Sequence, residues 1–434
     1  MVSEAKGRWV FPGDAPQAAD LARCVHCGLC VTACPTYELT GREGESPRGR
    51  IALARAVNDG LFDVTEAMEG HWDRCLQCRA CEAACPSGVA YGRILTKVRA
   101  QVSKAPGSRQ RSRRWRRFVI RNVVTRPWVL ALATTPVRFY LKRPVRFLAR
   151  ALGVTRLAWP LRRLERQLVS GQGAALRRGS RPVQLPEKGG DALLFSGCIM
   201  GELFGEVHRA TARLLARRGL ALEVPRRQVC CGALSAHDGD LDHARKLAKK
   251  NIEEFEGDDR PLVVNSAGCG AALKEYPELL SEDGDWAVRA MKFSSRVVDL
   301  TEHLHGLNRP VQARLEGRVT YQDPCHLAHA QRITAEPRAL IGSIEGCEFV
   351  ELEGASNCCG AAGMYSVVEP GISGQLRAAK GAAFEVAEPD YVVTANPGCQ
   401  MQCLAAAADS RGDFKVLHIA ELLDLAEAAA ADGP

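Results

Sequence analysis

Long hydrophobic runs are missing from this 434-residue chain. The first residues, MVSEAKGRWVFPG, have no apolar stretch of the kind a secretion signal needs, so a cytoplasmic protein is expected. In the most basic region the longest apolar run, Val129 to Ala133, falls far short of the roughly 20 residues of a bilayer-spanning helix. No GxGxxG, Walker or Ser-His-Asp arrangement stands out, and nothing resembles a flavin fingerprint. Hydride chemistry therefore falls to a partner. Acid is almost lacking from residues 97 to 166, which hold twenty Lys and Arg against Glu165 alone, while the remainder carries 38 basic and 49 acidic residues. The net charge of +8 thus conceals a positive linker between acidic or neutral domains.

Cysteine is abundant, with eighteen residues. Without a signal peptide, that number points to metal ligands in a reducing compartment and away from a disulfide framework. Two stretches, CVHCGLCVTACP (Cys24, Cys27, Cys30, Cys34, Pro35) and CLQCRACEAACP (Cys75, Cys78, Cys81, Cys85, Pro86), share the spacing CxxCxxCxxxCP. That spacing is the pattern of paired [4Fe-4S] clusters, in which three thiolates cap one cubane and the fourth cysteine reaches the other. Cys24, Cys27, Cys30 and Cys85 are assigned to one cluster, and Cys75, Cys78, Cys81 and Cys34 to the second. Pro35 and Pro86 fix the chain direction beside the crossing cysteines. The alternative is structural zinc, whose sites usually separate two CxxC pairs instead of crowding four cysteines into eleven residues. His26, between ligands, is expected to face outward.

Between the motifs, SPRGRIALARAVNDG reads as a helix with Ser46 and Pro47 at its start and Gly60 after its end. This is too much helix for a compact β-rich ferredoxin. It resembles the α-helical ferredoxin domain of succinate dehydrogenase iron-sulfur subunits. In the linker, RRWRRFVIRNVV sets Trp115, Phe118, Val119 and Val123 at helical spacing, with Arg113, Arg114, Arg116, Arg117 and Arg121 mostly turned elsewhere. Such a stretch suits an anionic membrane surface or a helix packed on a neighbouring subunit with a solvated basic face. Basic runs with aromatics also bind nucleic acid, but nothing else supports that reading. Pro127, Pro136, Pro144 and Pro160 divide the region into short helices, so any membrane contact is peripheral.

The C-terminal half is duplicated. Cys198, Cys230, Cys231 and Cys269 recur as Cys325, Cys358, Cys359 and Cys399, and each copy carries a CCG. PLVVNSAGCG corresponds to DYVVTANPGC, an apolar strand ending in a glycine-cysteine turn. DALLFSGC and RVTYQDPC read as buried strands and EVHRATARLLARR as a helix, which favours a parallel α/β layer with ligands at the C-terminal strand ends. Gly232 and Gly360 give the backbone freedom that adjacent cysteines need to face one site. Two pseudo-equivalent cysteine pockets are expected.

The CCG duplication resembles the cysteine-rich domain of heterodisulfide reductases. Together with the helical ferredoxin and with GCGAALKEY, DPCHL, CCGAAGMYS and NPGCQMQ, the chain resembles the glycolate oxidase iron-sulfur subunit family over nearly its whole length. That resemblance implies a multidomain fold. Residues 1–100 would be an α-helical ferredoxin with two [4Fe-4S] clusters, 101–186 a basic helical linker, and 187–316 and 317–434 the two α/β cysteine-rich repeats. It implies an electron relay from flavin-containing 2-hydroxy-acid oxidase subunits toward quinone or another acceptor, at or near the inner face of the cell membrane. Lactate or glycerol 3-phosphate dehydrogenase subunits and a heterodisulfide-reductase-like subunit are the alternatives. Cys269 is followed by GAA with no further cysteine, and Cys403 comes one residue later than a CxxC would place it. The first repeat is therefore expected to offer at most four thiolates, and the second is better supplied, leaving room for one further iron-sulfur cluster. His326, His237, Lys274 and Tyr276 are weaker candidates near the crevice, and Cys347 reads as a core cysteine.

Overall fold

The structure, a computed structural model, describes residues 9–104, 110–140, 190–410 and 412–431. The insertion between the cysteine motifs folds as its residues dictate. The Ser46 hydroxyl accepts from the Gly49 amide at 2.9 Å, Pro47 takes the first helical position, and the helix runs Pro47–Asn58. Gly60, at φ 73°, turns the chain away just past its end. Ile51, Ala54 and Val57 then pack with Trp72 and with Ile94, Leu95, Val98 and Val102 of the helix Tyr91–Lys104. Short helices Ala18–Ala22, Pro35–Thr40, Glu66–Asp73 and Ala80–Ala83 complete a helical domain.

The C-terminal half forms two parallel sheets of the same design. In the first, β1 (Ala192–Leu194), β2 (Leu222–Glu223), β3 (Leu262–Val264) and β4 (Val297–Asp299) lie in the order β2-β1-β3-β4. In the second, β5 (Arg314–Tyr321), β6 (Glu345–Phe349), β7 (Tyr391–Thr394) and β8 (Lys415–His418) lie in the order β6-β5-β7-β8. Each order reverses beside its first strand, the point where open α/β sheets form a crevice at the carboxyl ends. The two sheets share one core, because Val207, Leu214, Val263 and Leu300 of the first cluster with Val319, Tyr321, Val393, Ile419 and Leu422 of the second. The helices Gly205–Arg217 and Ile419–Ala431 are tied at their edge by Arg213–Asp424 at 2.6 Å and Arg218–Glu427 at 2.7 Å. The chain is thus multidomain, a helical ferredoxin followed by a duplicated α/β cysteine-rich domain.

The linker departs from the expected solvated basic face. Its helix Gln110–Val119 runs on into the turn Ile120–Val124, and a second helix spans Pro127–Tyr140. Arg113 is buried against Glu69 at 3.0 Å and Asp73 at 2.9 Å, Arg116 pairs with Asp238, and Arg121 holds Asp240 at 2.6 Å. These arginines join the ferredoxin domain to the first repeat, since a buried guanidinium is tolerated only when paired. The outward face carries Trp115, Phe118, Trp128 and Leu132, each more than half exposed. Pro144 and Pro160 lie outside the described residues. Among the described residues no helix is long and apolar enough to cross a membrane.

Candidate iron-sulfur centres

Both N-terminal motifs fold into the same loop. His26 (φ 57°) and Gly28 (φ 88°) in the first match Gln77 (φ 53°) and Arg79 (φ 65°) in the second. Left-handed backbone in a non-glycine residue costs on the order of 1–2 kcal/mol and persists where function demands it. Here it turns peptide N–H groups toward the thiols, making the concave nest that many iron-sulfur sites use, and the Gln77 amide points to the Cys75 sulfur at 3.4 Å. Cys24, Cys27, Cys30 and Cys85 line one cavity, and Cys34 joins Cys75, Cys78 and Cys81 around another. Cys81 borders both. His26 is exposed, and so is Cys27.

The two sites differ in depth. Burial pushes the Cys78 and Cys81 thiols well up, and neighbouring thiols push them further. Arg50, only 1% exposed, answers that crowding. Burial works against its charge, but Cys75, Tyr91, Cys34 and Glu45 outweigh it and hold the guanidinium's pKa up. Glu45 in turn binds Arg50 at 2.7 Å, Arg74 at 2.6 Å and His71 at 2.8 Å. The donor set therefore suits anionic clusters, with thiols, inward amides and a buried cation around one of them. Sequence reading passed over Arg50; its signal was the SPRGR run that starts the helix.

The repeats place their cysteines alike. Cys198 and Cys325 each sit at the start of a helical turn after the first strand of their sheet. Cys230–Cys231 and Cys358–Cys359 precede Gly232 (φ 84°) and Gly360 (φ 83°), where an added Cβ would meet Ala244 at 3.4 Å and the Ser373 carbonyl at 3.0 Å. The expected glycine-cysteine turns are instead the first turns of helices, Ala267–Lys274 and Pro397–Asp409, which carry Cys269 and Cys399. In the first repeat, Cys198 lies 3.4 Å from Cys230 and Cys231 3.4 Å from Cys269. Hydrogen bonds from Cys198 and then Cys231 hold the Cys230 thiol well below its ordinary pKa. In the second, Cys359 is held down by Cys358 and Cys399. A thiol kept ready to ionise is a metal ligand in waiting. Cys403, one turn beyond Cys399, is buried and unbonded to another cysteine.

The ferredoxin domain is docked onto these pockets. His326 donates from Nε2 to the Gln77 carbonyl at 2.9 Å, with the His237 ring edge-on to it at 5.3 Å. Burial lowers His326 to about 4 and takes His237 well down too. Tyr365 donates to the Arg74 carbonyl at 2.9 Å, and the Arg99 guanidinium bridges the Cys75 and His237 carbonyls at 2.6 and 2.9 Å. Leu76, Cys78, Cys358, Tyr365 and Leu376 form one apolar cluster with Cys325 packed against it. After burial, Cys325 is the group that most raises the Cys78 thiol, so the deep ferredoxin site adjoins the second-repeat site. Tyr276 donates to the Cys231 carbonyl at 2.9 Å and so buttresses the cysteine pair. Lys274 is instead paired with Glu302 at 3.1 Å. Cys347 is half-buried on β6.

A helical two-motif cysteine domain docked on a duplicated cysteine-rich α/β domain defines an iron-sulfur protein of the electron-transfer class. Comparison with known families agrees: the 4Fe-4S dicluster domain matches residues 20–89 and the cysteine-rich domain CCG matches residues 192–274 and 319–403. The probable glycolate oxidase iron-sulfur subunit of Bacillus subtilis is 36% identical over 414 residues, covering 93% of each chain. The glycolate oxidase iron-sulfur subunit of Escherichia coli is 32% identical over 413 residues, 94% of each chain. Lactate utilization protein A of Anoxybacillus flavithermus is 33% identical over 233 residues, 53% of this chain and 98% of its own. The chain belongs to the glycolate oxidase iron-sulfur subunit family.

Proposed function

We propose that this chain is the electron-relay subunit of a glycolate-oxidising complex, taking electrons from a flavin-bearing partner that oxidises the 2-hydroxy acid and passing them toward quinone. The observation that carries this reading is the abutment of Cys78 on Cys325 inside a shared apolar cluster, which packs a deep ferredoxin-domain cysteine against the second repeat. Cys24, Cys27, Cys30 and Cys85 would hold one cluster, and Cys75, Cys78, Cys81 and Cys34 the other. Cys198, Cys230, Cys231 and Cys269, and Cys325, Cys358, Cys359 and Cys399, form the two further thiol sites, the second being the better supplied for an additional cluster. Bound in these sites, iron-sulfur clusters supply one-electron carriers that divide the two-electron output of a reduced flavin. The chain's own contribution is to exclude water around the deep thiols, offset their charge with Arg50, and clamp the domains through His326, Arg99 and Tyr365.

The segment bearing Trp115, Phe118, Trp128 and Leu132 also exposes Arg111, Arg114 and Arg126, and residues 110–140 contain no acidic residue, which supports a peripheral seat on an anionic membrane surface. The test of the relay uses the assembled complex with Cys78→Ser. Glycolate should still bleach the partner's flavin, while reduction of a soluble quinone analogue is lost. Loss of both steps in an intact complex would contradict the relay, and oxidation of lactate but not glycolate by the complex would move the substrate to the lactate alternative.

A further inference from the structure

The two cysteine-rich repeats are alike in backbone but not in charge. On the helix after the first CCG, Leu241–Phe255, the neutral Asn251 faces the cysteine pair, bonding the Cys230 carbonyl at 3.2 Å and the Tyr276 hydroxyl at 3.0 Å. On the matching helix of the second repeat, Pro370–Ala387, Lys380 is 5% exposed. Its ammonium donates to the carbonyls of Gly354 at 2.5 Å and Ala355 at 3.5 Å, and among the described residues no carboxylate is paired with it. Burial lowers the pKa of this ammonium, and the groups that work to keep its charge are four thiols, Cys403, Cys359, Cys358 and Cys399. A buried ammonium without an anion is costly, so something anionic must face it. Among the described residues, the neighbouring cysteines, and what they bind, supply that charge.

We propose that Lys380 is the buried counter-charge of the second-repeat cysteine site, and that it makes this site, not its first-repeat twin, the stronger electron acceptor of the pair. The inference rests on the reading that the second repeat holds a cluster. Reduction there adds one electron, delivered from the adjoining ferredoxin domain, and no bond forms or breaks. The fixed positive charge favours the more negative reduced state. Lys380 acts through the thiols and is a positioning residue for charge. The first repeat, with Asn251 in that place, lacks the aid.

The experiment is anaerobic redox titration of the full-length chain followed by EPR, with Lys380→Gln and Lys380→Arg. Glutamine keeps a donor for the two carbonyls and removes the charge; arginine keeps the charge. Lys380→Gln should weaken reduction of the second-repeat signal at least tenfold, which is 59 mV for a one-electron couple. The ferredoxin-domain signals should stay in place, and Lys380→Arg should leave the midpoint near that of the native chain. Loss of second-repeat iron in Lys380→Gln with retention in Lys380→Arg would equally support the counter-charge. An unchanged midpoint in Lys380→Gln, or loss of iron in both variants, would overturn it. Failure of the underlying reading looks different: Cys358→Ser would then leave the native chain's iron content and EPR spectrum unaltered.

Discussion

The two repeats are held together by a polar network that should fail in acid. His208 donates from Nε2 to the Ser196 carbonyl at 3.0 Å, and its Nδ1 accepts from the Asn265 amide at 3.0 Å. His418 of the other repeat donates from Nε2 to the Asn265 carbonyl at 3.0 Å, and its Nδ1 accepts from the Ala420 amide at 3.1 Å. Both rings are therefore fixed in one neutral tautomer, because a proton on Nδ1 would face an N–H donor. Burial lowers His208 to about 4 and His418 to about 3. With unfolded histidine near 6.5, the unfolded chain binds more protons below that value, so stability rises with pH from the folded values up to about 6.5. At pH 5 each ring costs roughly 2 kcal/mol relative to pH 7.5, and the pair about 4 kcal/mol. The perturbation is His418→Gln, which removes one titrating ring. Anaerobic urea unfolding at pH 7.5 and pH 5 should show an acid-linked loss smaller by about 2 kcal/mol in the variant, whatever its constant cost at neutral pH. An identical acid loss in the variant and the native chain would refute the reasoning.

Glu45→Gln strands the buried Arg50 and should destabilise the ferredoxin domain by about 3–5 kcal/mol, read as a lowered thermal midpoint by circular dichroism; an unchanged midpoint would count against the network. Cys34→Ser should alter the same EPR signal as Cys75→Ser, while Cys85→Ser should match Cys24→Ser. The opposite matching would mean that each motif keeps its own fourth cysteine. Trp115→Ser combined with Trp128→Ser should abolish flotation of the chain with vesicles containing anionic lipid, and high salt should weaken flotation of the native chain. Equal flotation by the variant would remove the membrane from the account.

What the sequence disclosed follows from how local each signal is. The CxxCxxCxxxCP loops, the Ser46 cap and the repeated CCG are set by a few adjacent residues, and each formed where its residues placed it. The parallel sheets were legible because ALLF is an apolar run and VTY a β-branched and aromatic one, both of strand length. Side-chain direction across the chain was not. Arg116 and Arg121 of the linker bond inward because their carboxylates, Asp238 and Asp240, lie about 120 residues away in sequence, and periodicity cannot see them. His326 reads as a neighbour of Cys325, yet its partner is the Gln77 backbone of the other domain. Lys380, within a helix of ordinary composition, reads as a surface lysine until the fold buries it. Gln77 and Arg79 gave no hint of left-handed backbone, since residues of those types rarely adopt it; the glycine at the matching place in the first motif was the one clue.

The claim on which the rest depends is that the ferredoxin-domain thiols hold two [4Fe-4S] clusters. Iron and acid-labile sulfide analysis of the anaerobically purified chain, with EPR of the dithionite-reduced protein, tests it most directly. Two four-iron clusters call for about eight irons and eight sulfides per chain from that domain alone, retained when the second-repeat site is removed by Cys358→Ser. A chain that carries zinc in place of iron, or that keeps no more than about four irons after Cys358→Ser, would contradict the account.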